Sequence, residues 1–442
     1  MDVVTAQQLE TSLESKIRER TARVGVIGLG YVGLALAVEA AEFGFHVVGV
    51  EIDETKASMV NTCRSYIGDV TDEALRRVVD ADKLSATTQH DALRDTDVII
   101  ICVPTPLTKS KEPDLSHVTA AAHACVPLLR PGMLVVLEST TYPGTTVEVV
   151  KPILETSGLR AGPDFALAFS PERIDPGNRQ HSFRSVPKIV GGVTPGSTRI
   201  AQAFYEQVAD TVVPVSSPTV AEMVKVYENV FRNVNIALVN ELTLLCDRMG
   251  LDVWEIIETA ATKPYGFMPF YPGPGVGGHC IPVDPYYLSA KAREYDFHAR
   301  FIELAATVND SMPYYVVSRT TGALEAKGKT LCGAKVLVLG VAYKKDISDV
   351  RMSPALKVMA LLHKRGATVT YHDPHVPEVT LTNPGIIRSV PLTDETLEGV
   401  DCVILATDHS DMDYDRIVAR ASLIVDTRNR LHGHRLPHVV RL

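Results

Sequence analysis

A glycine-rich turn between two short apolar runs is the feature of this sequence that most restricts its fold. Residues 23–53 read RVGVIGLGYVGLALAVEAAEFGFHVVGVEID: an apolar run, a glycine turn, an alanine-rich helix and a second apolar run. This order predicts one βαβ unit. Gly28 suits the tight turn, Gly30 lets backbone approach a pyrophosphate, and Gly33 lets the helix pack on the strand. The sequence therefore predicts a dinucleotide-binding turn at a helix N-terminus.

An acidic residue at the end of the second apolar run indicates which dinucleotide is bound. Glu51 lies 23 residues beyond Gly28, where a carboxylate accepts both ribose hydroxyls and repels a 2′-phosphate. The sequence therefore predicts NAD as the cofactor. Asp53 is a second candidate for the ribose, or else it caps the next helix. The other cofactor contacts predicted around this turn are Tyr31, Val32 and Lys56.

The charge and the apolar pattern exclude several classes of protein. The chain has 442 residues, with 44 Lys and Arg against 53 Asp and Glu, a formal charge of −9. This balance argues against nucleic acid and anionic lipid as partners. No apolar run is long enough to span a membrane, and the charged residues 1–20 predict an exposed leading helix without a secretion signal. Seven dispersed cysteines fit a reducing compartment, so we expect a cytoplasmic protein.

Apolar runs and turns divide the chain into three predicted parts. Residues 1–215 extend the βαβ unit into a doubly wound NAD-binding domain. Residues 216–324 are mainly helical and contain a stretch rich in glycine and proline, whereas residues 325–442 alternate strands and helices again without a glycine fingerprint. We predict an α/β protein with two doubly wound, Rossmann-like domains joined by a long central helix. A cleft between the two sheets is the expected place for chemistry.

The longest helical period of apolar residues runs from Ser216 to Gly250. Pro218 marks the start of this helix, Thr219 and Glu222 have capping-box spacing, and Gly250 marks the end. Such a long helix is typical of a spine between domains or of a dimer interface.

Three polar residues on this helix are spaced so that they share one face. Lys225, Asn229 and Arg232 stand at positions i, i+4 and i+7. A line of this kind on the surface needs no further explanation. On an otherwise apolar helix, a polar cleft is the more plausible environment, and there the lysine stabilises a developing alkoxide.

Residues 272–284 read PGPGVGGHCIPVD, a stretch in which four glycines precede a single cysteine. The Cys280 thiolate can add to an aldehyde as a thiohemiacetal and then hold the oxidised product as a thioester. Asp284 lies four residues later, on the side of the sulfur if this stretch forms a helical turn. The alternative is that Cys280 is a small buried apolar residue, which we expect of the remaining cysteines: Cys63, Cys102, Cys125, Cys246, Cys332 and Cys402. His279 is expected to be structural, and no metal site is predicted.

Two polar segments follow apolar strands in the first part of the chain. They are ESTTYPGT at residues 138–145 and SPER at residues 170–173. Doubly wound sheets bind ligands at the carboxyl ends of their strands. Each segment taken alone is equally typical of hydroxyl-rich turns.

Together these segments resemble the UDP-glucose/GDP-mannose dehydrogenase family. The resemblance extends from about residue 23 to residue 430. Its markers are GLGYVGL at 28–34, VPTP at 103–106, ESTTYPGT at 138–145, SPER at 170–173, PGPGVGGHC at 272–280 and GVAYKKDISDVRMSP at 340–354. The resemblance implies an NAD-linked, four-electron oxidation of the sugar C6 alcohol to a carboxylate, a UDP-sugar-binding C-terminal domain, and a homodimer built on the long helix.

The resemblance also implies roles for individual residues. Cys280 matches the nucleophile, Lys225 and Asn229 match the pair that stabilises the oxyanion, Asp284 and Thr140 match residues that position water or relay protons, and Glu172 matches the glutamate of the hydrolytic step. Further cofactor contacts are implied at Pro104, Thr105 and Thr140. Substrate contacts are implied at Glu172, Arg173, Lys225, Asn229, Arg232, Tyr271, Gly273, Gly277, Lys344, Arg351 and Arg428.

The sequence around the cysteine, GGHCIPVDP, resembles the branch of the family that oxidises UDP-N-acetylhexosamines. Within that branch the chain is most similar to members that act on UDP-N-acetylglucosamine, because Pro282 stands where the N-acetylmannosamine enzymes usually have alanine. Pro176 replaces a glutamate of the UDP-glucose branch. The alternatives are UDP-N-acetylmannosamine, UDP-glucose or UDP-N-acetylgalactosamine as the substrate, a non-catalytic NAD-binding regulator, and a one-step hydroxyacid dehydrogenase.

Overall fold

The computed structural model describes residues 6–108, 111–174, 183–433 and 436–442. Pro176 and the first five residues of the predicted leading helix lie outside these ranges. The chain separates into two compact units. The first unit is Met1–Glu228 with Tyr286–Phe297, and the second is Asn229–Pro285 with His298–Leu442. The division at residues 215 and 324 that the sequence suggests stays a prediction.

Within the described residues, the first unit is built on an eight-stranded sheet. Its strands are β1 (Arg23–Ile27), β2 (His46–Val50), β3 (Leu84–Thr87), β4 (Val98–Ile101), β5 (Leu134–Leu137), β6 (Ala166–Phe169), β7 (Lys188–Gly192) and β8 (Val212–Pro214). Their order is β3-β2-β1-β4-β5-β6-β7-β8, and each neighbouring pair is parallel except β6 and β7. This is the doubly wound order that the sequence predicts.

Helices cover both faces of this sheet, as parallel strands require. They are α1 (Ala6–Arg18), α2 (Tyr31–Glu42), α3 (Glu54–Asn61), α4 (Asp72–Asp80), α5 (Ser116–Cys125), α6 (Lys151–Glu155) and α7 (Pro195–Tyr205). Val24 and Val26 of β1 share one buried cluster with Leu34 of α2. Ile99 of β4 shares the other with Val118 of α5. Because both faces are covered, the strand ends are the parts of the sheet that can meet a ligand.

The long helix α8 (Pro218–Met249, 32 residues) begins in the first unit and ends in the second. Ser217 caps it, because its Oγ accepts the Val220 N–H at 3.3 Å. The predicted capping box of Thr219 and Glu222 is therefore wrong. The buried Glu222 carboxylate instead accepts the Gly144 N–H, the Thr146 N–H and the Thr146 hydroxyl at 2.5, 2.8 and 2.6 Å. Burial outweighs these bonds and raises the pKa of Glu222 to about 7.

The second unit contains a second α/β sheet. Its strands are β9 (Lys335–Leu339), β10 (Thr368–His372), β11 (Glu378–Thr380), β12 (Ile386–Arg388), β13 (Cys402–Leu405), β14 (Ile424–Asp426) and β15 (Val439–Arg441). The parallel sheet has the order β10-β9-β13-β14-β15, and β11 and β12 form an antiparallel pair. Its further helices are α9 (Val253–Ala261), α11 (Arg300–Glu325), α12 (Pro354–Lys364), α13 (Asp394–Glu398) and α14 (Tyr414–Arg420). Helix α10 (Asp284–Arg293) lies mainly in the first unit.

Both faces of the second parallel sheet are also buried. Val336 of β9 clusters with Val358 of α12, whereas Leu337 of the same strand clusters with Ile417 of α14. The predicted fold class, with two doubly wound sheets and a long central helix, is thus confirmed. Among the helices of the described residues, none combines the length and the apolar character that a membrane span needs.

Candidate active site

The glycine turn of the first unit leaves space for a ligand at one of its three glycines. Gly28 has φ +90°, and a Cβ there would lie 2.6 Å from the Cys102 carbonyl oxygen. A Cβ on Gly33 would lie 1.9 Å from the Gly28 carbonyl oxygen. A Cβ on Gly30 would meet nothing within 4 Å. Gly28 and Gly33 therefore permit close backbone packing, and Gly30 leaves the opening that a pyrophosphate requires.

Glu51 lies beside this turn and is buried, with 7% of its surface exposed. Its Oε2 accepts the Leu29 N–H at 3.0 Å, and its Oε1 accepts the Asp53 N–H at 3.2 Å. Asp53 is the N-cap of α3, the second of its two predicted roles. The Lys56 ammonium lies 5.7 Å from the centre of the Tyr66 ring, whose hydroxyl donates to the Leu29 carbonyl at 2.6 Å. These residues fit an NAD ribose and pyrophosphate at the turn.

The segments after β4 and β5 lie side by side. The Thr105 hydroxyl donates to the Thr140 carbonyl at 2.7 Å. The Ser139 hydroxyl donates to the Val103 carbonyl at 2.8 Å. Tyr287, which the sequence analysis missed, donates its hydroxyl to the Thr105 carbonyl. Two of the predicted cofactor residues, Thr105 and Thr140, thus lie together at the carboxyl edge of the sheet.

Glu172 lies in a buried group of charges that the sequence did not reveal. Its Oε1 accepts the N–H groups of Arg173 and Ile174 at 2.7 Å each, and its Oε2 lies 3.0 Å from Nζ of Lys188. Although burial raises the pKa of this carboxyl, the Lys188 charge and these hydrogen bonds hold the pKa below its usual range. The sequence feature that could have indicated this charged group is Lys188, which is the first residue of the otherwise apolar strand β7.

The Arg173 side chain is occupied by contacts within the first unit. Its Nη2 lies 2.6 Å from a Glu228 carboxylate oxygen, and its Nη1 donates to the Pro187 carbonyl at 2.6 Å. A substrate contact through this guanidinium therefore requires exchange of an ion pair.

The second unit brings three of the predicted catalytic residues together. The Asp284 N–H donates to the Cys280 carbonyl at 2.8 Å, so the chain makes the helical turn on which the predicted proximity depended. The Asn229 amide donates to Asp284 Oδ2 at 2.6 Å. Lys225 stands one turn earlier on α8 and is buried, whereas Arg232 is exposed. Of the three polar residues predicted to share one face of α8, Lys225 and Asn229 are thus buried.

The glycines before Cys280 pack against the C-terminal part of the second unit. A Cβ on Gly273 would lie 2.7 Å from Nη1 of Arg428, and one on Gly277 would lie 2.6 Å from Cβ of Tyr343. The Gly278 N–H donates to the Arg351 carbonyl at 2.9 Å. Two predicted substrate residues, Gly273 and Arg428, are therefore in contact, and the loop lies on the segment that carries Lys344.

A chain of buried amides supports the same loop. The Gly273 N–H donates to Asn240 Oδ1 at 3.1 Å, the Asn240 amide donates to Asn309 Oδ1 at 2.9 Å, and the Asn309 amide donates to Asn233 Oδ1 at 2.8 Å. This chain joins the loop to α8 and α11. Tyr271, just before the loop, is half exposed, and its ring stacks on the Trp254 ring with 6.0 Å between the ring centres.

Arg351 and the half-buried Lys344 approach the loop from the family signature at residues 340–354. The Arg351 guanidinium makes an ion pair with Asp349 at 2.6 Å and donates to His279 Nδ1 at 3.1 Å. The Nδ1 of His279 therefore acts as an acceptor, which agrees with a structural histidine.

Asp346, His375 and His409 bring possible metal-ligand atoms within 4.8 Å of one another. His409 Nδ1 accepts the Asp346 N–H at 2.9 Å, and its Nε2 lies 3.0 Å from Asp373 Oδ2, as donor. Neither nitrogen of His409 thus offers a lone pair to a metal. That the protein has no metal site stays a prediction.

The six cysteines expected to be packing residues do not all behave alike. Cys63, Cys102, Cys125, Cys246 and Cys402 are buried. Cys332 is exposed, so the packing prediction is wrong for this residue. It lies in the loop before β9, where it adjoins a glycine turn. Cys280 has intermediate exposure.

Comparison with family models decides the relationship. Residues 22–209 match the NAD binding domain of the UDP-glucose/GDP-mannose dehydrogenase family, residues 219–311 match its central domain, and residues 337–433 match its UDP binding domain. The chain belongs to this family. As an NAD-dependent nucleotide-sugar dehydrogenase it carries both expected binding domains, and the prediction of NAD as the cofactor is confirmed.

Known members of the family differ in the sugar that their names specify. The dehydrogenase is 38% identical over 394 residues to a UDP-N-acetyl-D-glucosamine 6-dehydrogenase of Pseudomonas aeruginosa, covering 88% of this chain and 91% of the relative. It is 36% identical over 413 residues to a UDP-N-acetyl-D-mannosamine dehydrogenase of Pyrococcus horikoshii, covering 92% and 95%. The solved structure of a UDP-D-ManNAc dehydrogenase from Pyrococcus horikoshii superposes with a TM-score of 0.87 at 34% identity, covering 95% of this chain and 98% of that one.

Proposed function

We propose that this dehydrogenase oxidises C6 of UDP-N-acetylglucosamine to UDP-N-acetylglucosaminuronate. The observation that carries the proposal is the Asn229–Asp284 hydrogen bond one helical turn from Cys280, in a chain that also has the NAD-binding turn. The GGHCIPVDP sequence and the 38% identical relative support the N-acetylglucosamine substrate. The same proposal places the enzyme in the cytoplasm and leaves UDP-N-acetylmannosamine as the next candidate substrate.

The first oxidation requires a base and a site for the developing alkoxide. Two equivalents of NAD supply the hydride acceptor, one for each oxidation. Asp284, oriented by Asn229, removes the C6 hydroxyl proton through a water molecule. The Lys225 ammonium stabilises the developing negative charge on the oxygen. The product of this step is the C6 aldehyde.

The second oxidation requires a covalent intermediate. The Cys280 thiolate forms a C–S bond to the aldehyde carbon, and the resulting thiohemiacetal loses hydride to give a thioester. Glu172 then takes a proton from water, the water oxygen forms a bond to the carbonyl carbon, and the C–S bond breaks. Covalent capture keeps the aldehyde on the enzyme between the two oxidations.

The number of NADH molecules formed for each UDP-sugar consumed tests this proposal. We expect two NADH per UDP-N-acetylglucosamine, because one chain carries out both oxidations. A panel with UDP-N-acetylmannosamine, UDP-N-acetylgalactosamine and UDP-glucose serves as the control for the sugar. One NADH per sugar would instead indicate a one-step dehydrogenase, and none with any sugar would indicate a regulator. Faster turnover of another panel member would reassign the substrate.

We also propose that the enzyme is a homodimer formed through α8. Phe231, Leu238, Leu245 and Met249 follow each other at intervals of seven, seven and four residues and are 40, 64, 51 and 61% exposed. These intervals place them on one helical face. A second copy of the chain would bury this apolar stripe.

Charge on this stripe is expected to separate the subunits. A Leu238→Glu/Leu245→Glu variant would place two carboxylates from each subunit in the interface, where their desolvation costs several kcal/mol. We expect light scattering after size exclusion to report one chain mass for this variant and two for the unchanged protein. Thr382→Glu adds a carboxylate at another exposed position and should leave the mass unchanged. A monomeric wild-type protein would contradict the proposal.

A further inference from the structure

A buried lysine opens the strand β7. The Lys188 side chain is only 2% exposed, and an ammonium group is costly to bury unless charged partners replace the lost water. Its Nζ lies 3.0 Å from Glu138 Oε1 and 3.0 Å from Glu172 Oε2. It also lies 4.8 Å from the centre of the Phe183 ring. Two ion pairs therefore fix the position of this ammonium.

The two carboxylates belong to different segments at the same edge of the sheet. Glu138 is the first residue after β5 and begins the ESTTYPGT segment, which includes Thr140. Glu172 lies three residues after β6 in the SPER segment. The Lys188 ammonium thus links the ESTTYPGT segment to the SPER segment through one carboxylate of each. The sequence separates these partners by 16 and 50 residues, so only the folded sheet brings them together.

Among the described residues, the other side chains that donate to this cluster are neutral. The Tyr205 hydroxyl donates to Glu138 Oε1 at 2.5 Å, and the Cys102 thiol donates to Glu138 Oε2 at 3.6 Å. Burial raises the pKa of Tyr205 and of Cys102 well above their ordinary values, and it also raises the pKa of Glu138. The nearby Arg173 guanidinium is paired with Glu228 instead. Within the part of the chain that the structure describes, Lys188 is therefore the cation that balances Glu172.

We propose that Lys188 is a positioning residue for thioester hydrolysis, because it keeps Glu172 ionised and fixed. This inference rests on the proposed function. In the hydrolytic step Glu172 accepts one proton from the attacking water, a C–O bond forms, and the C–S bond breaks so that sulfur leaves as the Cys280 thiolate. A second proton passes from the acid product to solvent. A protonated or displaced Glu172 cannot accept the proton from water.

Three variants separate the charge of Lys188 from its volume. With both glutamates ionised, the cluster carries one ammonium and two carboxylates, a net charge of −1. Lys188→Met leaves two unbalanced carboxylates, which favours protonation of Glu172. Glu138→Gln/Lys188→Met restores the net charge of −1 without restoring the ion pair to Glu172. This double variant replaces the single variant in the experiment if Lys188→Met does not fold. Lys188→Arg keeps the cation.

The experiment compares the rapid first phase of NADH formation with steady acid formation between pH 6 and pH 10. For Lys188→Met and for the double variant, we expect the first phase to stay within about threefold of wild type. Steady acid formation should fall about 10²-fold at pH 7 and should recover about tenfold for each unit of pH, because Glu172 now ionises at higher pH. Lys188→Arg should retain the wild-type rate and pH profile.

Two results would overturn this role for Lys188. One is an unchanged pH profile in either methionine variant, and the other is an arginine variant as impaired as the methionine variant. A merely structural lysine would change thermal stability without introducing the new pH dependence. The wild-type protein in the same assay tests the proposed function separately: no NADH from any UDP-sugar would reject that function, whatever the variants do.

Discussion

Replacement of Cys280 by serine is expected to reduce steady formation of the uronic acid by at least about 10³-fold, a loss typical of removing a nucleophile. A serine hydroxyl is far less ionised than a thiol at neutral pH, and it is therefore a much weaker nucleophile. The aldehyde can then form but cannot be held as a thioester. Mass spectrometry of the products and a titration of NAD binding, which should be unchanged, check this expectation.

Cys332 offers a matched control for this experiment. It is exposed and lies in the loop before β9, so Cys332→Ser makes the same chemical change away from the glycine loop. We expect this variant to retain full activity. If Cys280→Ser made acid as fast as the Cys332→Ser control, the covalent mechanism would be wrong.

Alanine at Gly30 and at Gly33 is expected to impair the enzyme for two different reasons. A Cβ at Gly33 would lie 1.9 Å from the Gly28 carbonyl oxygen, so this overpacking should destabilise the first unit by about 3 kcal/mol or more. A Cβ at Gly30 meets no protein atom within 4 Å, so that variant should fold normally. It should nevertheless weaken NAD binding by about tenfold or more, or about 1.4 kcal/mol, because the methyl group occupies the space for the pyrophosphate.

Thermal unfolding and NAD titration together distinguish these two effects. Gly33→Ala should lower the melting temperature, whereas Gly30→Ala should leave it unchanged and raise the dissociation constant for NAD. Gly68 is an exposed glycine where an added Cβ would likewise meet no atom within 4 Å, so Gly68→Ala should change neither quantity. Normal NAD affinity in Gly30→Ala would show that the pyrophosphate does not lie against this turn.

The elements that depend on local pattern were predicted well. The βαβ unit follows from residues 23–53 because the periods of two and 3.6 residues and the glycine turn are all local properties. The strand β5 and the helix α8 lie where their apolar patterns indicated. The capping box failed because Glu222 has the right spacing but is buried against Gly144 and Thr146, which a pattern along one helix cannot reveal.

The candidate site was predicted in part for a similar reason. Cys280 and Asp284 are close in sequence, so their shared turn could be inferred from spacing. Asn229 could be placed on a helical face, but its hydrogen bond to Asp284 spans 55 residues. Lys188 was missed because a lysine at a strand end is usually exposed, whereas here its ammonium lies between Glu138 and Glu172 and beside the Phe183 ring.

The sequence by itself predicted the βαβ units of the two sheets, the NAD-binding turn and the turn from Cys280 to Asp284, because each depends on residues that are close together along the chain. The tertiary structure decided which polar groups are buried together. It paired Lys188 with Glu138 and Glu172, and Asn229 with Asp284. Such pairs form because buried charges and amides must replace lost water with partners, and the chain supplies those partners from distant segments.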